Sequence, residues 1–170
     1  PLIARTRSIV EFAQELETKR GQLFAGLHEY ESIVNSFLNE KSVTVSGVGL
    51  HTGTHVDMTF HPAPANHGYK FRRIDLEGHP VIEADVDLVT DTARGTTISK
   101  HKASVSTIEH TLAALVGLGI DNVMIDLNGP ETPIMDGSSK EFIQALSPVG
   151  KEQLEAEREY IIINENITYK

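Results

Sequence analysis

Glu109 and His110 stand side by side in the stretch STIEHTLAAL, at the start of an apolar pattern typical of a helix. Such a pair can do chemistry, because an imidazole binds metal ions and a neighbouring carboxylate accepts protons. The same spacing also has a structural explanation. Ser106 followed three residues later by Glu109 is a capping box, and Ser138 with Glu141 repeats it. Spacing alone favours capping for Glu109 and leaves both interpretations open.

His110 is less easily explained by structure alone. At 100° per residue, an apolar stripe is formed by Ile108, Leu112, Leu115 and Val116. The opposite face carries His110 among small residues, Ala113, Ala114 and Gly117. The helix dipole at an N-terminus disfavours a protonated histidine, so the imidazole stays in the neutral form that binds zinc. We therefore expect another domain, a substrate or a metal ion to approach this face closely.

One histidine does not make a zinc site, because catalytic zinc usually takes three protein ligands. Ala114 occupies the position four residues after His110, which excludes an H-E-x-x-H helix. His51 and His55 in HTGTH have the right spacing, but Gly53 and the surrounding strand pattern make a shared helical face improbable. The remaining histidines have no ligand spacing, and we predict turn or solvent positions for His28, His61, His67, His79 and His101.

Composition limits the classes of protein. The 170 residues, 39% of them hydrophobic, suffice for one ordinary domain or two small ones. The absence of cysteine excludes disulfides and thiolate-bound zinc, and the net charge of −9 argues against nucleic-acid binding. No apolar run reaches the roughly 20 residues of a membrane helix, and the N-terminal sequence lacks a signal-peptide core. We predict a cytoplasmic protein without a transmembrane segment.

Residues 1–41 differ from the rest of the chain, because apolar residues recur at steps of three and four. This pattern predicts an amphipathic helical segment of unknown origin, which Gly21 and Gly26 weaken in its middle. It could bind a partner or pack on its own domain.

From Ser42 onwards the apolar residues alternate with polar ones, as in half-buried strands. Predicted strands lie in SVTVSGVGL, THVDMTFHP, GYKFRRIDLEG, RGTTISKH, NVMIDLN and EYIIINENITYK. Predicted helices cover residues 106–118 and 138–146, and the acidic EADVDLVTDT separates two strands. This order predicts an α+β fold with both helices on one face of the sheet.

The stretches SGVGLHTG, FHPAP, HGYKFRRID and STIEHTLAALVGLGIDNVMIDLNGPETPIMDGSS, in this order, strongly resemble the N-terminal half of the UDP-3-O-acyl-N-acetylglucosamine deacetylases. These zinc enzymes catalyse the committing step of lipid A synthesis. The resemblance covers residues 42–165, with 166–170 as the start of a connection. It implies the first of two similar α+β domains, which pack with their helices inward around the active site.

The resemblance also implies roles for individual residues. His110 would be the first zinc ligand, Glu109 the general base, and His51 a residue near the same cleft. Because Glu109 cannot face both a cap and a metal-bound water, we expect Ser106 to cap the helix and Glu109 to turn into the cleft. The remaining zinc ligands, a histidine and an aspartate, are expected in a second domain downstream.

The implied substrate is a UDP-linked acylated amino sugar, which loses its acetyl group. HGYKFRRIDLEG resembles members whose chain continues into a 3-hydroxyacyl carrier-protein dehydratase. Without the second domain we expect this chain to be inactive. The alternatives are a non-catalytic binding or assembly module of the same fold, and self-association through the helix face at Ala113, Ala114 and Gly117.

Overall fold

A computed structural model describes residues 36–38 and 42–157. The described residues from Ser36 to Ala156 belong to one compact unit. Most of the predicted N-terminal helical segment and the predicted last strand after Glu159 lie outside the described residues. Within that segment, Ser36–Leu38 is a β-strand, so the prediction of a helical segment over residues 1–41 was wrong at these three positions.

Ten strands and two helices follow one another along the described chain. The strands are β1 Ser36–Leu38, β2 Val43–Val48, β3 His55–Pro62, β4 Tyr69–Arg73, β5 Val81–Glu83, β6 Val89–Asp91, β7 Thr97–Lys100, β8 Ala103–Val105, β9 Val123–Leu127 and β10 Lys151–Gln153. The helices are α1 Glu109–Leu118 and α2 Lys140–Leu146, with 3-10 turns at Val86–Leu88 and Ser147–Val149. The acidic separator between predicted strands therefore contains a 3-10 turn and β6.

The main sheet has five strands in the order β2-β3-β9-β4-β5. All neighbours in it are antiparallel except β4 and β9, which run parallel with Phe71 opposite Ile125. A second sheet joins β6, β7 and β8, and β1 pairs with β10. The predicted α+β class is confirmed, with sheets of mixed direction.

The core lies between one face of the main sheet and the two helices. Along β3, Val56, Met58 and Phe60 are fully buried, whereas Asp57 and Thr59 on the opposite face are not. The predicted apolar face of β9 is confirmed, and its residues join one cluster with Leu115 of α1 and Phe142 of α2. Each fully buried side chain of this size stabilises the fold by about 1.5–3 kcal/mol.

The predicted capping box at α1 was wrong. Helix α1 begins at Glu109, its N-cap residue is Ile108, and no side chain caps it. Ser106 instead forms an isolated parallel bridge with Glu131, with its N–H donating to Pro130 O over 3.0 Å. Thr107 follows at φ +59°, so the chain turns sharply between Ser106 and the helix. Because of this left-handed residue, Ser106 lies outside the start of the helix.

The second S-x-x-E pattern does not cap α2 either. Its N-cap residue is Ser139, which makes no side-chain capping bond. Ser138 donates its hydroxyl to Asp136 Oδ1 over 2.7 Å and accepts from the N–H of Lys140. The start of α2 is therefore preceded by an aspartate-centred turn.

A polar cluster joins the strands on the outer face of the main sheet. Asp126 receives two hydrogen bonds from Arg72, at 2.6 and 2.7 Å, and contacts His61 Nε2 at 2.9 Å. His61 Nδ1 lies 2.8 Å from Ser42 Oγ, so this histidine is part of a cross-strand network and the prediction of a turn or solvent position was wrong for it. Burial opposes ionisation of Asp126, but the Arg72 hydrogen bonds prevail and lower its pKa.

Within the described part of the chain, no helix is long and apolar enough to cross a bilayer. The predicted cytoplasmic location stays a prediction.

Candidate functional site

Helix α1 presents His110 on a stripe of small, exposed positions. His110 is half-buried, and Ala113 and Gly117 on the same stripe are exposed, as the sequence predicted. Ala114 is fully buried and Val116 is 67% exposed, which corrects both assignments. The helix buries Thr111, Ala114 and Leu115, so its apolar stripe is rotated from the predicted one. The exposed face beside His110 thus contains a valine.

The carboxylate of Glu109 is turned away from its own helix. Glu109 Oε2 accepts a hydrogen bond from the backbone N–H of Thr96 over 3.0 Å. A Cβ atom at Gly95 would lie 3.1 Å from Glu109 Oε1, so the backbone approaches the carboxylate closely at this residue. Glu109 is therefore held against the segment that precedes β7, and its side chain has no capping role.

His51 contacts the same segment from the other side. It is exposed in the turn between β2 and β3, and its Nε2 lies 3.0 Å from the carbonyl oxygen of Arg94. A carbonyl oxygen only accepts hydrogen bonds, so Nε2 is the donor in this arrangement. Residues 94–96 thus bring His51 and Glu109 to one place.

A buried carboxylate, Glu131, lies beneath these groups. It is fully buried and accepts hydrogen bonds from the N–H groups of His51 and Thr52, at distances of 2.8 to 3.1 Å. The hydroxyls of Thr52 and Thr107 also donate to it, each over 2.8 Å. Burial alone would raise the pKa of Glu131, but these donors outweigh it and lower the pKa. Glu131 is therefore a carboxylate fully satisfied by the two segments it joins.

Sequence patterns do not reveal Glu131, Thr52, Thr96 or Thr107 as members of the site. The donors to Glu131 lie up to 80 positions away in the chain, so no local spacing reveals them. One weak signal in the sequence is the glycine at position 49, where there is no space for a side chain. Gly49 precedes the turn, and a Cβ atom there would lie 2.5 Å from Glu131 Oε2.

A polar pocket of about 150 Å³ opens between these segments. Its lining includes His51, Arg94, Gly95, Thr107 and Glu131. Because Gly95 also borders the Glu109 carboxylate, the pocket is bounded by the same segment that contacts Glu109. A small polar group could enter here next to Gly95.

The histidine and carboxylate side chains of the described residues are scattered with respect to metal binding. Residues 42–157 contain no group of three or more His, Asp or Glu side chains that could hold a metal ion together. What they offer is a single imidazole, His110, in the first turn of a helix beside a carboxylate. This donor set fits a zinc site to which the described residues give one ligand.

Comparison with known proteins assigns the chain to a family. A model of the family described as UDP-3-O-acyl N-acetylglycosamine deacetylase (LpxC) matches residues 39–170. The chain belongs to this family. The suspected relationship is thereby confirmed, and the deacetylase fold accounts for the α+β domain around the Glu-His pair.

Individual relatives agree with the LpxC assignment. The chain is 52% identical over 129 residues to the "Bifunctional enzyme LpxC/FabZ" of Bacteroides thetaiotaomicron, covering 76% of this chain and 28% of that protein. It is 47% identical over 132 residues to the "UDP-3-O-acyl-N-acetylglucosamine deacetylase" of Pseudoalteromonas atlantica, covering 77% and 43% respectively. The chain thus spans less than half the length of these LpxC relatives.

Proposed function

We propose that this chain supplies one half of the active site of a zinc-dependent deacetylase. The reaction is hydrolysis of the acetamide of a UDP-3-O-acyl-N-acetylglucosamine to the free amine and acetate. The observation that carries the proposal is the Glu109 carboxylate, turned off its helix and onto the segment 94–96, within a chain of the LpxC family. A carboxylate used only to cap α1 would have remained at the helix start.

Glu109 acts as the general base in this proposal. The Thr96 N–H occupies one lone pair of Oε2 and fixes the carboxylate plane, which leaves Oε1 free to accept a proton from an attacking water. The proton then passes to the departing amine nitrogen.

His110 supplies one ligand to the metal, and the other ligands come from outside the described residues. Zinc, when bound, lowers the pKa of a water molecule and polarises the amide carbonyl. The small, exposed positions beside His110 leave room for a second body of protein to approach. His51 borders the pocket, and in its neutral tautomer with the proton on Nε2, Nδ1 can accept a hydrogen bond from a substrate hydroxyl or amide.

The proposal is tested with the protein expressed from the complete open reading frame that contains this chain. Acetate release from a UDP-linked acylated amino sugar and zinc content are measured for the wild type, His110→Ala and Glu109→Gln. We expect His110→Ala to lose most of its zinc. Glu109→Gln should keep its zinc and lose at least a hundredfold in kcat.

His55→Ala is the matched control, because His55 is an exposed histidine four residues after His51. It should retain both zinc and activity. Unchanged zinc in His110→Ala would remove His110 as a ligand. Full activity in Glu109→Gln would remove Glu109 as the base.

We further propose that the complete protein carries a dehydratase domain after the deacetylase. Both the Bacteroides relative and the Porphyromonas gingivalis relative, 48% identical over 123 residues, are named as bifunctional LpxC/FabZ enzymes. The same expressed protein should then dehydrate a 3-hydroxyacyl carrier protein. A reading frame that ends with the deacetylase region would exclude this addition.

A further inference from the structure

We infer that Glu131 is a positioning residue, which fixes the His51 turn relative to the strand-to-helix connection that ends at Glu109. Its effect on catalysis rests on the proposed function, whereas its effect on the two segments does not. Glu131 is fully buried and both of its oxygens accept hydrogen bonds from protein donors, so it acts through the groups that it binds.

The two oxygens of Glu131 divide their acceptor sites between the two segments. Oε2 receives the N–H and the hydroxyl of Thr52, each at 2.8 Å. Oε1 receives the Thr107 hydroxyl at 2.8 Å, and the His51 N–H is shared between both oxygens at 3.1 Å. Only a carboxylate offers this many acceptor lone pairs in one side chain, because an amide replaces one oxygen with a donor.

These bonds complete a closed ring of contacts. From Glu131 the ring passes through His51 to Arg94 O, along the backbone to Thr96, and through the Thr96 N–H to Glu109. Two residues before Glu109, Thr107 returns the ring to Glu131. Glu131 is the residue that joins the His51 turn to Thr107, so its removal opens the ring and leaves the Thr52 N–H and the Thr107 hydroxyl without their acceptor.

The residues around Glu131 restrict where its side chain can lie. Gly49 leaves no room for a side chain, since a Cβ atom would lie 2.5 Å from both Glu131 Oε2 and Thr52 Oγ1. Thr107 adopts φ +59°, a conformation that a β-branched residue rarely takes without compensation. The carbonyl of Thr107 also accepts the hydroxyl of Thr132, the residue after Glu131. The turn, the connection and the carboxylate therefore constrain one another.

The first test measures amide hydrogen exchange in the 170-residue chain. Glu131→Gln keeps the shape of the side chain but turns a donor towards existing donors, so we expect the His51 and Thr52 amides to exchange at least tenfold faster. The amides of Phe60 and Ile125 in the central strands should stay within about twofold of the wild type. Unchanged exchange at His51 and Thr52, or equal acceleration of all four amides, overturns the inference.

The second test uses the protein from the complete reading frame. Glu131→Gln should lower kcat at least tenfold, with KM within about threefold and zinc content unchanged. Glu131→Asp keeps both acceptor oxygens on a shorter side chain and should recover part of the loss. A lower folded fraction with wild-type kcat per folded molecule would overturn the positioning role. If the wild type itself releases no acetate, the proposed function fails, and the exchange measurement still decides whether Glu131 holds the two segments.

Discussion

The backbone N–H of Thr96 donates to Oε2 of Glu109 over 3.0 Å, across 13 positions of sequence. The first acidic residue of α1 is thus oriented by a loop from the neighbouring three-stranded sheet, whose strand β7 begins at Thr97. A main-chain donor cannot change its rotamer, so the orientation of the carboxylate depends on the path of the backbone through Gly95 and Thr96. Substitutions that alter this backbone path should therefore lower kcat before they lower the stability of the fold.

Gly95→Ala should therefore impair catalysis in the complete protein. Its new Cβ atom would lie 3.1 Å from Glu109 Oε1, so the carboxylate or the loop must shift by a few tenths of an ångström. We expect kcat to fall by roughly tenfold to a hundredfold, since small misplacements of a reacting group are costly. Steady-state kinetics measure the effect. Thr92→Ala, an exposed position in the same segment, serves as the control and should keep wild-type kcat.

Substitutions at two glycines should change stability in opposite directions. Gly49→Ala places a Cβ atom 2.5 Å from Glu131 Oε2 and should destabilise the chain by about 1–3 kcal/mol. Gly117→Ala meets no atom within 4 Å and lies inside α1, so it should stabilise the chain by about 0.5–1 kcal/mol. Urea unfolding of both variants measures the free energies. If Gly49→Ala changed the free energy of unfolding as Gly117→Ala does, the close approach at Gly49 would be relieved by movement of the turn.

Arg72→Met should destabilise the chain at neutral pH by about 1–3 kcal/mol, because it leaves the buried Asp126 without its main partner. The pKa of Asp126 lies below its ordinary value of 3.8 in the fold. Its ionised form therefore stabilises the fold above that pH, and this contribution is lost as the pH falls through the folded pKa. The difference in the free energy of unfolding between Arg72→Met and the wild type should shrink below about pH 4. Lys70→Met, two residues earlier on β4, is the control, and an equal loss there would exclude a specific pair.

Val116→Glu tests whether the exposed face of α1 associates with a second copy of the chain. Val116 is 67% exposed on the same face as Ala113 and Gly117, which favours a contact that excludes water. We expect the wild-type chain to exceed its monomer mass of 18.7 kDa in light scattering as concentration rises, and Val116→Glu to remain at it. Val86→Glu, at an 82% exposed valine in a 3-10 turn, should behave as the wild type. A monomeric wild type at all concentrations would reject self-association.

The sequence predicted the main strands well because their side chains alternate. Val56, Met58 and Phe60 are buried on one face of β3, and the apolar residues of β9 are likewise buried. Strands β5, β6, β8 and β10 escaped prediction because each has only three residues, too few for a period of two to appear. The start of α1 was misplaced because the left-handed conformation of Thr107 leaves no mark in residue type.

The candidate site was predictable only in part. Glu109 and His110 were found because they are adjacent in the chain, and His51 because its motif matched a known family. Glu131 lies in a loop between two prolines, where an acidic residue ordinarily faces solvent. Its burial depends on donors from His51, Thr52 and Thr107, which the fold brings together from two distant segments. Such a partnership is a property of tertiary structure.

The place of β9 in the main sheet has a consequence for the order of folding. Strand β9 lies between β3 and β4, yet it is made after both, and the Arg72–Asp126 pair spans 54 positions. A nascent chain therefore exposes two unpaired strand edges, one on β3 and one on β4, until Leu127 has left the ribosome. Pairings of such long range form slowly, and exposed edges of this kind attract other chains. The middle of the main sheet can therefore form only after β9 has been synthesised.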